Sequence, residues 1–273
     1  MCGIAGIIGE KAQKGVLVKM TDSQKHRGPD HTGLWMSDEV GLGHNRLSII
    51  DLSEDANQPF ACPNNRYQLV FNGEIYNYVE LKKELDYEFK TSSDTEVLLA
   101  AFMKWGKDCL SKLNGMFSFA IWDTQTNSLF AARDRFGVKP LYYHHAENSF
   151  YFASEIKALH AAGITKEPQK KVWANYFVYG SYGMPHETFW EQIAQLPGGH
   201  YLELQSNKLN ITKWYHFEEE VKKYKQTASF ESVKETYTNL LIDSIALRFR
   251  ADVSVGFNVS GGLDSSALLA FVN

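Results

Sequence analysis

The sequence predicts an α+β fold in which helices cover antiparallel sheets. Its strand-like segments come in blocks rather than alternating one by one with helices, which argues against a repeated βαβ unit. The clearest pair runs over 115–123 and 128–133, two segments of alternating apolar residues joined by four polar ones, and this spacing predicts a β-hairpin. With 273 residues, 44% of them hydrophobic, the chain can bury a substantial core.

The first nine residues read Met-Cys-Gly-Ile-Ala-Gly-Ile-Ile-Gly. A residue as small as Cys2 allows removal of the initiator Met1, and this would place a thiol and a free α-amine on one residue. Such an amine has an ordinary pKa near 7.7 to 8.0, so it can take the thiol's proton at neutral pH. The apolar run that follows predicts a short buried strand. The alternative is an ordinary cysteine ahead of an ordinary edge strand.

Composition excludes several classes of function. A net charge of −4 without a long basic run predicts no binding to nucleic acid or an anionic membrane, and no apolar segment is long enough to span a bilayer. No basic segment precedes the first apolar run, so no secretory signal is expected. The widely spaced Cys2, Cys62 and Cys109 indicate reduced thiols in the cytoplasm. His144 and His145 match no metal-ligand spacing, so no protein-bound metal is expected.

Two polar positions near predicted strands are candidates for ligand contacts. Arg46 stands among apolar neighbours, where its planar guanidinium requires either a substrate carboxylate or a structural Asp or Glu. Asn72 and Gly73 directly follow the predicted strand 67–71. An Asn-Gly pair is a turn signal, but its side-chain amide and backbone N–H can also form an oxyanion hole.

A helix is predicted from Ser93 to Trp105. Ser93 and Glu96 have the spacing of a capping box, and Gly106 is a typical stop. Asp94 therefore lies in the first helical turn. It can serve only the helix dipole, or it can meet an ammonium group of a ligand.

The last seventy residues predict a different organisation. The segment 206–229 is polar and reads as a linker, and an amphipathic helix is expected over 230–249. A strand over 253–259, the glycine loop 260–266 and a following helix start would form an anion site, although the common phosphate-loop motif is absent. The predicted domains are thus 1–205 and an incomplete 230–273.

These residues together resemble the N-terminal part of a glutamine-hydrolysing asparagine synthetase. The resemblance spans nearly the whole chain, from the Met1–Gly6 string to the glycine loop. It implies a class II glutamine amidotransferase domain with the N-terminal nucleophile (Ntn) hydrolase αββα sandwich, followed by the first elements of an α/β ATP-pyrophosphatase domain. The intervening strings that carry it are 26–30, 44–51, 72–77, 93–96 and 133–143.

The resemblance also implies roles. It makes Cys2 the nucleophile that releases ammonia from glutamine and Asn72 with Gly73 the oxyanion hole. Arg46 would hold the glutamine α-carboxylate, with Glu74 and Asp94 near its α-amino group. Ile49 and Ile50 would complete the glutamine site, and ATP would bind Ser260, Gly261, Gly262, Leu263, Asp264, Ser265 and Ser266.

The same resemblance implies the ligands. The glutaminase half needs no cofactor, whereas the full-length enzyme would use ATP with Mg²⁺ to amidate aspartate with ammonia carried through an internal tunnel. A homodimer is compatible with this family. Ser254 and Asn258 depart from the pattern, where a proline and an apolar residue are usual.

Other functions are compatible with the same sequence features. One is an amidotransferase for another carboxylate acceptor, such as a sugar acid. Another is a non-catalytic glutamine-binding module, which the complete set of Cys2, Arg46, Asn72 and Asp94 disfavours. Amidotransferases for phosphosugars share the first domain, but the glycine loop at Ser260 argues against them.

Overall fold

A computed structural model describes residues 1–10, 12–223 and 229–272 of the chain. These residues form two compact units. The first comprises Met1–Ser48 and Ser53–Tyr215, and the second comprises Ile49–Leu52 and His216–Asn273.

The first unit contains all the strands of the described residues and six helices. The strands are β1 (Gly3–Gly9), β2 (His31–Met36), β3 (Val40–Arg46), β4 (Phe60–Ala61), β5 (Tyr67–Ile75), β6 (Gly115–Asp123), β7 (Ser128–Arg133), β8 (Tyr142–Ala146), β9 (Ser149–Ala153), β10 (Ala194–Gln195), β11 (His200–Gln205) and β12 (Lys208–Lys213). The helices are α1 (Lys14–Ser23), α2 (Tyr78–Glu84), α3 (Asp94–Trp105), α4 (Cys109–Lys112), α5 (Ile156–Ala161) and α6 (Lys170–Tyr179).

The strands form two antiparallel sheets of six strands each. The first has the order β10-β8-β9-β1-β3-β2, and the second has the order β12-β11-β7-β6-β5-β4. In the first sheet, β1 lies between β3 and β9, with Gly3 opposite Asn45 and Gly9 opposite Ser149. The strand that begins beside Cys2 is therefore internal to a sheet and not an edge strand.

Alternating side chains of β1 show how the layers are built. Ile4 joins the apolar core between the two sheets, whereas Ala5 and Ile7 pack with Leu17 and Met20 of α1. A third core lies between the second sheet and helices α2, α3 and α4. Two sheets face each other and helices cover both outer sides, so the predicted αββα sandwich is confirmed.

The hairpin prediction is confirmed residue by residue, since β6 and β7 have the predicted bounds. The turn interpretation of Asn72 and Gly73 is wrong, because β5 continues through both to Ile75. Pairing of this stretch with β6 over Ser118 to Gly115 outweighs the local turn preference of the Asn-Gly pair.

The start of α3 differs from the predicted capping box. Ser93 does cap the helix, but its hydroxyl accepts from Thr95 N at 3.1 Å. The carboxylate of Glu96 instead accepts from the N–H groups of Lys90 and Thr91 and from the Thr91 hydroxyl, at 2.7 to 3.1 Å. Glu96 thus fixes the loop before the helix.

The second unit contains helices α7 (Phe217–Lys222), α8 (Phe230–Arg248) and α9 (Leu263–Val272). The strand predicted over 253–259 is wrong, because these residues adopt no regular structure. A strand needs neighbours to satisfy its backbone groups, and no strand occurs among the described residues of this unit.

The domain boundary predicted at residue 205 is also wrong. The polar segment Lys208–Lys213 pairs with β11, from Gln205 opposite Lys208 to His200 opposite Lys213, and the first unit extends to Tyr215. Part of the predicted linker, 224–228, lies outside the described residues.

No helix in the described part of the chain has the length and apolar character to cross a bilayer.

Candidate active site

The thiol of Cys2 lies immediately before β1, against the end of β3. Leu47 N donates to its sulfur at 3.4 Å, and the sulfur lies 3.7 Å from Leu47 O. Burial raises the pKa of the Cys2 thiol, while the Leu47 N–H opposes that rise. The thiol is therefore protonated at rest and needs a base to become a nucleophile.

A base of suitable character lies next to it. Burial lowers the pKa of the Met1 α-amine, which favours the neutral, proton-accepting form. Met1 itself is 56% exposed. Its side chain is thus held weakly, which is compatible with the expected trimming.

Arg27 fixes the backbone of Cys2. Its Nε donates to Cys2 O at 2.9 Å, and its Nη1 donates to Glu155 at 3.0 Å. His26 Nε2 meets the same carboxylate at 2.9 Å. Arg27 Nη2 is buried without a hydrogen-bond partner among the described residues. It is a free donor beside the nucleophile's backbone.

Asn72 is the most unusual polar residue of the first unit. It is completely buried on β5, which contacts β1 across the sandwich, yet neither its Oδ1 nor its Nδ2 has a hydrogen-bond partner among the described residues. A buried amide without partners costs on the order of 1 to 3 kcal/mol. Such a group is typical of a site that a ligand completes.

Gly73 must be a glycine at this point of β5. A Cβ there would lie 2.3 Å from Met116 O and 2.8 Å from Phe117 Cα, both backbone atoms of the paired strand. The close approach of the two strands therefore excludes any side chain at this position.

Arg46 ends β3 and is 5% exposed. Its Nη1 donates to Ser53 O at 2.6 Å and to Asn57 Oδ1 at 2.9 Å. These two hydrogen bonds orient the guanidinium at the end of β3. Its positive charge also opposes the raised pKa of the Cys2 thiol, which places the two groups within electrostatic reach.

Asp94 and Glu74 form an acidic pair, and the charge of Asp94 also acts on Cys2. Asp94 is buried at the start of α3 and accepts from Ile75 N at 2.9 Å. Burial, together with the charge of Glu74, raises the pKa of Asp94 to about 7 despite the Ile75 hydrogen bond. Burial also raises the pKa of Glu74, which Lys139 opposes. An arriving ammonium group would relieve both carboxylates.

Lys139 is a functional candidate that the sequence did not reveal. It is 3% exposed, and no hydrogen bond or ion pair to its ammonium group exists among the described residues. Burial lowers its pKa, while the nearby Glu74 and Cys2 charges raise it. It lies within the string 133–143, as Arg27 lies within 26–30, but neither residue type in a turn-rich string indicates a role by itself.

The glycine loop belongs to the second unit and is largely exposed. Ser265 Oγ accepts from Ser260 N at 3.2 Å and donates to Gly262 O at 3.2 Å, and Gly261 has a φ of 79°. Asp264 is its one carboxylate. The described residues contain no group of three or more His, Cys, Asp or Glu that could hold a metal ion. Ile49 and Ile50 also belong to this unit, and their contact with glutamine stays a prediction.

The arrangement is matched by known protein families. Residues 1–215 match the family described as glutamine amidotransferase domain, and residues 236–273 match the family described as asparagine synthase. "Asparagine synthetase [glutamine-hydrolyzing] 3" of Bacillus subtilis is 39% identical over 99% of this chain and 45% of its own length. A relative in Methanocaldococcus jannaschii, "Putative asparagine synthetase [glutamine-hydrolyzing] 2", is 38% identical over 98% of this chain and 56% of its own length.

The chain thus spans about half the length of these relatives. Among solved structures, glutamine phosphoribosylpyrophosphate amidotransferase from B. subtilis has a TM-score of 0.61 at 22% identity, covering 78% of this chain and 49% of its own. This likeness confirms the Ntn sandwich as the fold of the first unit. Since the amidotransferase match covers residues 1–215, most of the sequence, the chain belongs to the glutamine amidotransferase domain family.

Proposed function

We propose that the first unit hydrolyses glutamine to glutamate and ammonia, with Cys2 as the nucleophile. The observation that carries this proposal is the buried amide of Asn72, for which the described residues provide no hydrogen-bond partner. An oxyanion that forms during attack by a nearby thiolate would provide one. The family match and the sequence similarity to glutamine-hydrolysing enzymes support the same chemistry.

The reaction starts with proton transfer from the Cys2 thiol to an α-amine. After Met1 is removed, that amine is the one on Cys2 itself. The thiolate then attacks the side-chain carbonyl carbon of glutamine, and the C=O electron pair moves onto oxygen. Asn72 Nδ2 and the Gly73 N–H would donate to this oxyanion.

Collapse of the tetrahedral species breaks the C–N bond. The protonated α-amine returns its proton to the leaving nitrogen, so ammonia departs and a γ-glutamyl thioester remains. Water, deprotonated by the same amine, attacks the thioester and releases glutamate and the Cys2 thiol.

Two further groups would hold the unreacting end of glutamine. Arg46, whose guanidinium is oriented by Ser53 O and Asn57 Oδ1, would bind the α-carboxylate. Asp94 and Glu74 would bind the α-ammonium group, which relieves the repulsion between the buried Asp94 and the half-buried Glu74. None of these groups forms a covalent bond to the substrate.

We extend the proposal to the longer protein that the relatives represent. In such a protein the ammonia would amidate aspartate in an ATP-dependent reaction, and Ser260, Gly261, Gly262, Leu263, Asp264, Ser265 and Ser266 would contribute to ATP binding. The loop's backbone N–H groups suit the phosphates, whose Mg²⁺ would supply charge neutralisation. A homodimer and a cytoplasmic location belong to the same proposal.

The test is ammonia release from glutamine by the purified 273-residue chain. We expect wild type and Cys109→Ala to release ammonia, because Cys109 is a buried core thiol of α4, and Cys2→Ala to release none. Intact mass should show that active protein lacks Met1. Equal activity of Cys2→Ala and wild type, or full activity with Met1 retained, would contradict the proposed nucleophile. The chain should form no asparagine from ATP and aspartate, since the loop's strand at 253–259 is absent.

A further inference from the structure

The peptide group of Phe71 has an unusual environment for the middle of a strand. Phe71 directly precedes Asn72 on β5, whose neighbour β4 consists of two residues that reach only Leu69 and Gln68. Beyond that point, no strand among the described residues pairs with this side of β5. Buried backbone groups in this position must find other partners.

Two buried side chains take the place of the missing strand. Gln58 Oε1 accepts from Phe71 N at 2.6 Å, and His44 Nε2 donates to Phe71 O at 3.0 Å. His44 is completely buried and Gln58 is 5% exposed. Both bonds are therefore shielded from water. The backbone of Phe71, immediately before Asn72, is held through both its N–H and its C=O.

The chemistry of His44 suits a permanent donor. A carbonyl oxygen accepts only from a protonated nitrogen, which assigns the Nε2–H tautomer. Burial lowers the pKa of His44 to about 3, so the ring remains neutral at physiological pH. Its Nδ1 has no partner among the described residues. The donation to Phe71 is thus the one hydrogen bond found for this ring in the described part of the chain.

The same two residues connect the elements that carry the proposed glutamine site. His44 lies on β3, two residues before Arg46. The Nε2 of Gln58 donates to Thr95 Oγ1 at 3.2 Å, in the first turn of α3 and next to Asp94. Strands β3 and β5 and helix α3 are therefore tied together at Phe71.

We infer that His44 and Gln58 are positioning residues, which hold the Phe71 peptide so that the Asn72 amide points at the oxyanion. Within the described part of the chain, the Asn72 side chain makes no hydrogen bond that could orient it, so its direction depends on its backbone and packing. A displacement of about 1 Å can cost on the order of a hundredfold in rate. This inference rests on the proposed oxyanion role of Asn72.

The decisive variant is His44→Phe, which keeps a planar ring and removes the donor. We expect kcat for glutamine hydrolysis to fall about 10- to 100-fold with KM little changed. His44→Gln, which can place an N–H near the same point, should recover most of the loss. The matched control is His160→Phe, which removes a 3.0 Å bond between a histidine and the Ile164 carbonyl in a different part of the unit and should leave kcat unchanged.

A double variant separates positioning from general destabilisation. If His44 acts through Asn72, His44→Phe combined with Asn72→Ala should be no slower than Asn72→Ala alone. Multiplicative losses would overturn the inference. Circular dichroism confirms folding, and if His44→Phe does not fold, Gln58→Met, which removes the acceptor at nearly constant shape, takes its place with the same expectations.

Hydrogen exchange provides a readout that needs no activity. Amides of the Phe71–Gly73 segment should exchange faster in His44→Phe than in wild type and His160→Phe. Unchanged exchange would show that His44 does not hold this peptide, and faster exchange with unchanged kcat would show that the held peptide does not serve Asn72. Either result overturns the inference. Absence of ammonia release by wild type would instead refute the proposed function, and the exchange comparison would still decide whether the peptide is held.

Discussion

Glutamine binding should release a proton from Asp94. The free carboxyl has a pKa of about 7 because it is buried and lies near Glu74. An ammonium group docked against it favours the charged form and lowers that pKa, so glutamine binds the deprotonated protein more tightly. With a free pKa of about 7, binding should be about tenfold weaker at pH 6 than at pH 8.

The assay is isothermal titration calorimetry on Cys2→Ala, which binds glutamine without consuming it. Measurements in two buffers of different ionisation enthalpy should give release of about 0.9 proton per site at pH 6 and about 0.1 at pH 8. The control is Asp94→Asn in the same background, which keeps an acceptor for Ile75 N. It should bind more weakly at both pH values and release no proton.

Equal glutamine affinity of Cys2→Ala at pH 6 and pH 8, without proton release, would refute this reasoning. It would mean that the glutamine ammonium does not face Asp94. Retention of the full proton release in Asp94→Asn would place the titrating group elsewhere, with Glu74 as the nearest alternative because burial raises its pKa as well.

Three other outcomes are expected. Arg46→Ala should raise KM about 10- to 200-fold through loss of a charged hydrogen bond, whereas Asn72→Ala should lower kcat about 100- to 1000-fold. Steady-state kinetics in which Arg46→Ala changes mainly kcat and Asn72→Ala changes mainly KM would contradict the assignments. Lys139→Met should raise the pH midpoint for alkylation of Cys2 by iodoacetamide, since it removes a cation that favours the thiolate, and an unchanged midpoint would count against that role. For folding, the native Asp94 binds more protons than the unfolded one between pH 3.8 and about 7, so the free energy of unfolding should fall as pH rises through this window, and thermal melts of Asp94→Asn should lack that fall.

Local patterns were sufficient where a segment's own alternation determines its pairing. The hairpin of β6 and β7 could be predicted to the residue because both strands alternate and a short polar turn joins them. The extension of β5 through Asn72 could not, because an Asn-Gly pair favours a turn until β6 is available to pair with it. The strand predicted over 253–259 does not form, because this segment has a suitable apolar pattern but no neighbouring strand among the described residues of its unit.

Some residues of the candidate site could likewise be predicted from local features of the sequence, and others could not. Cys2 was predicted from its own chemistry and its place in the chain, and Arg46 from its apolar neighbours. The roles of Asn72 and Asp94 depended on the family resemblance. His44 was missed because the role inferred for it depends on Phe71, 27 residues away, and a contact between the two sheets leaves no periodic signal in the sequence.

The position of β1 between β3 and β9 has a consequence for the nascent protein. Its pairing with β9 joins residues about 140 positions apart, so at roughly 5 to 20 residues per second β9 is made about 7 to 28 seconds after β1. During that interval the first strand has one side unpaired, and the Cys2 thiol has not yet acquired the burial that raises its pKa. The cysteine should then behave as an ordinary exposed thiol, accessible to oxidants, while Met1 is accessible to the enzymes that trim it. Access of other molecules to the thiol is restricted only after β9 pairs with β1.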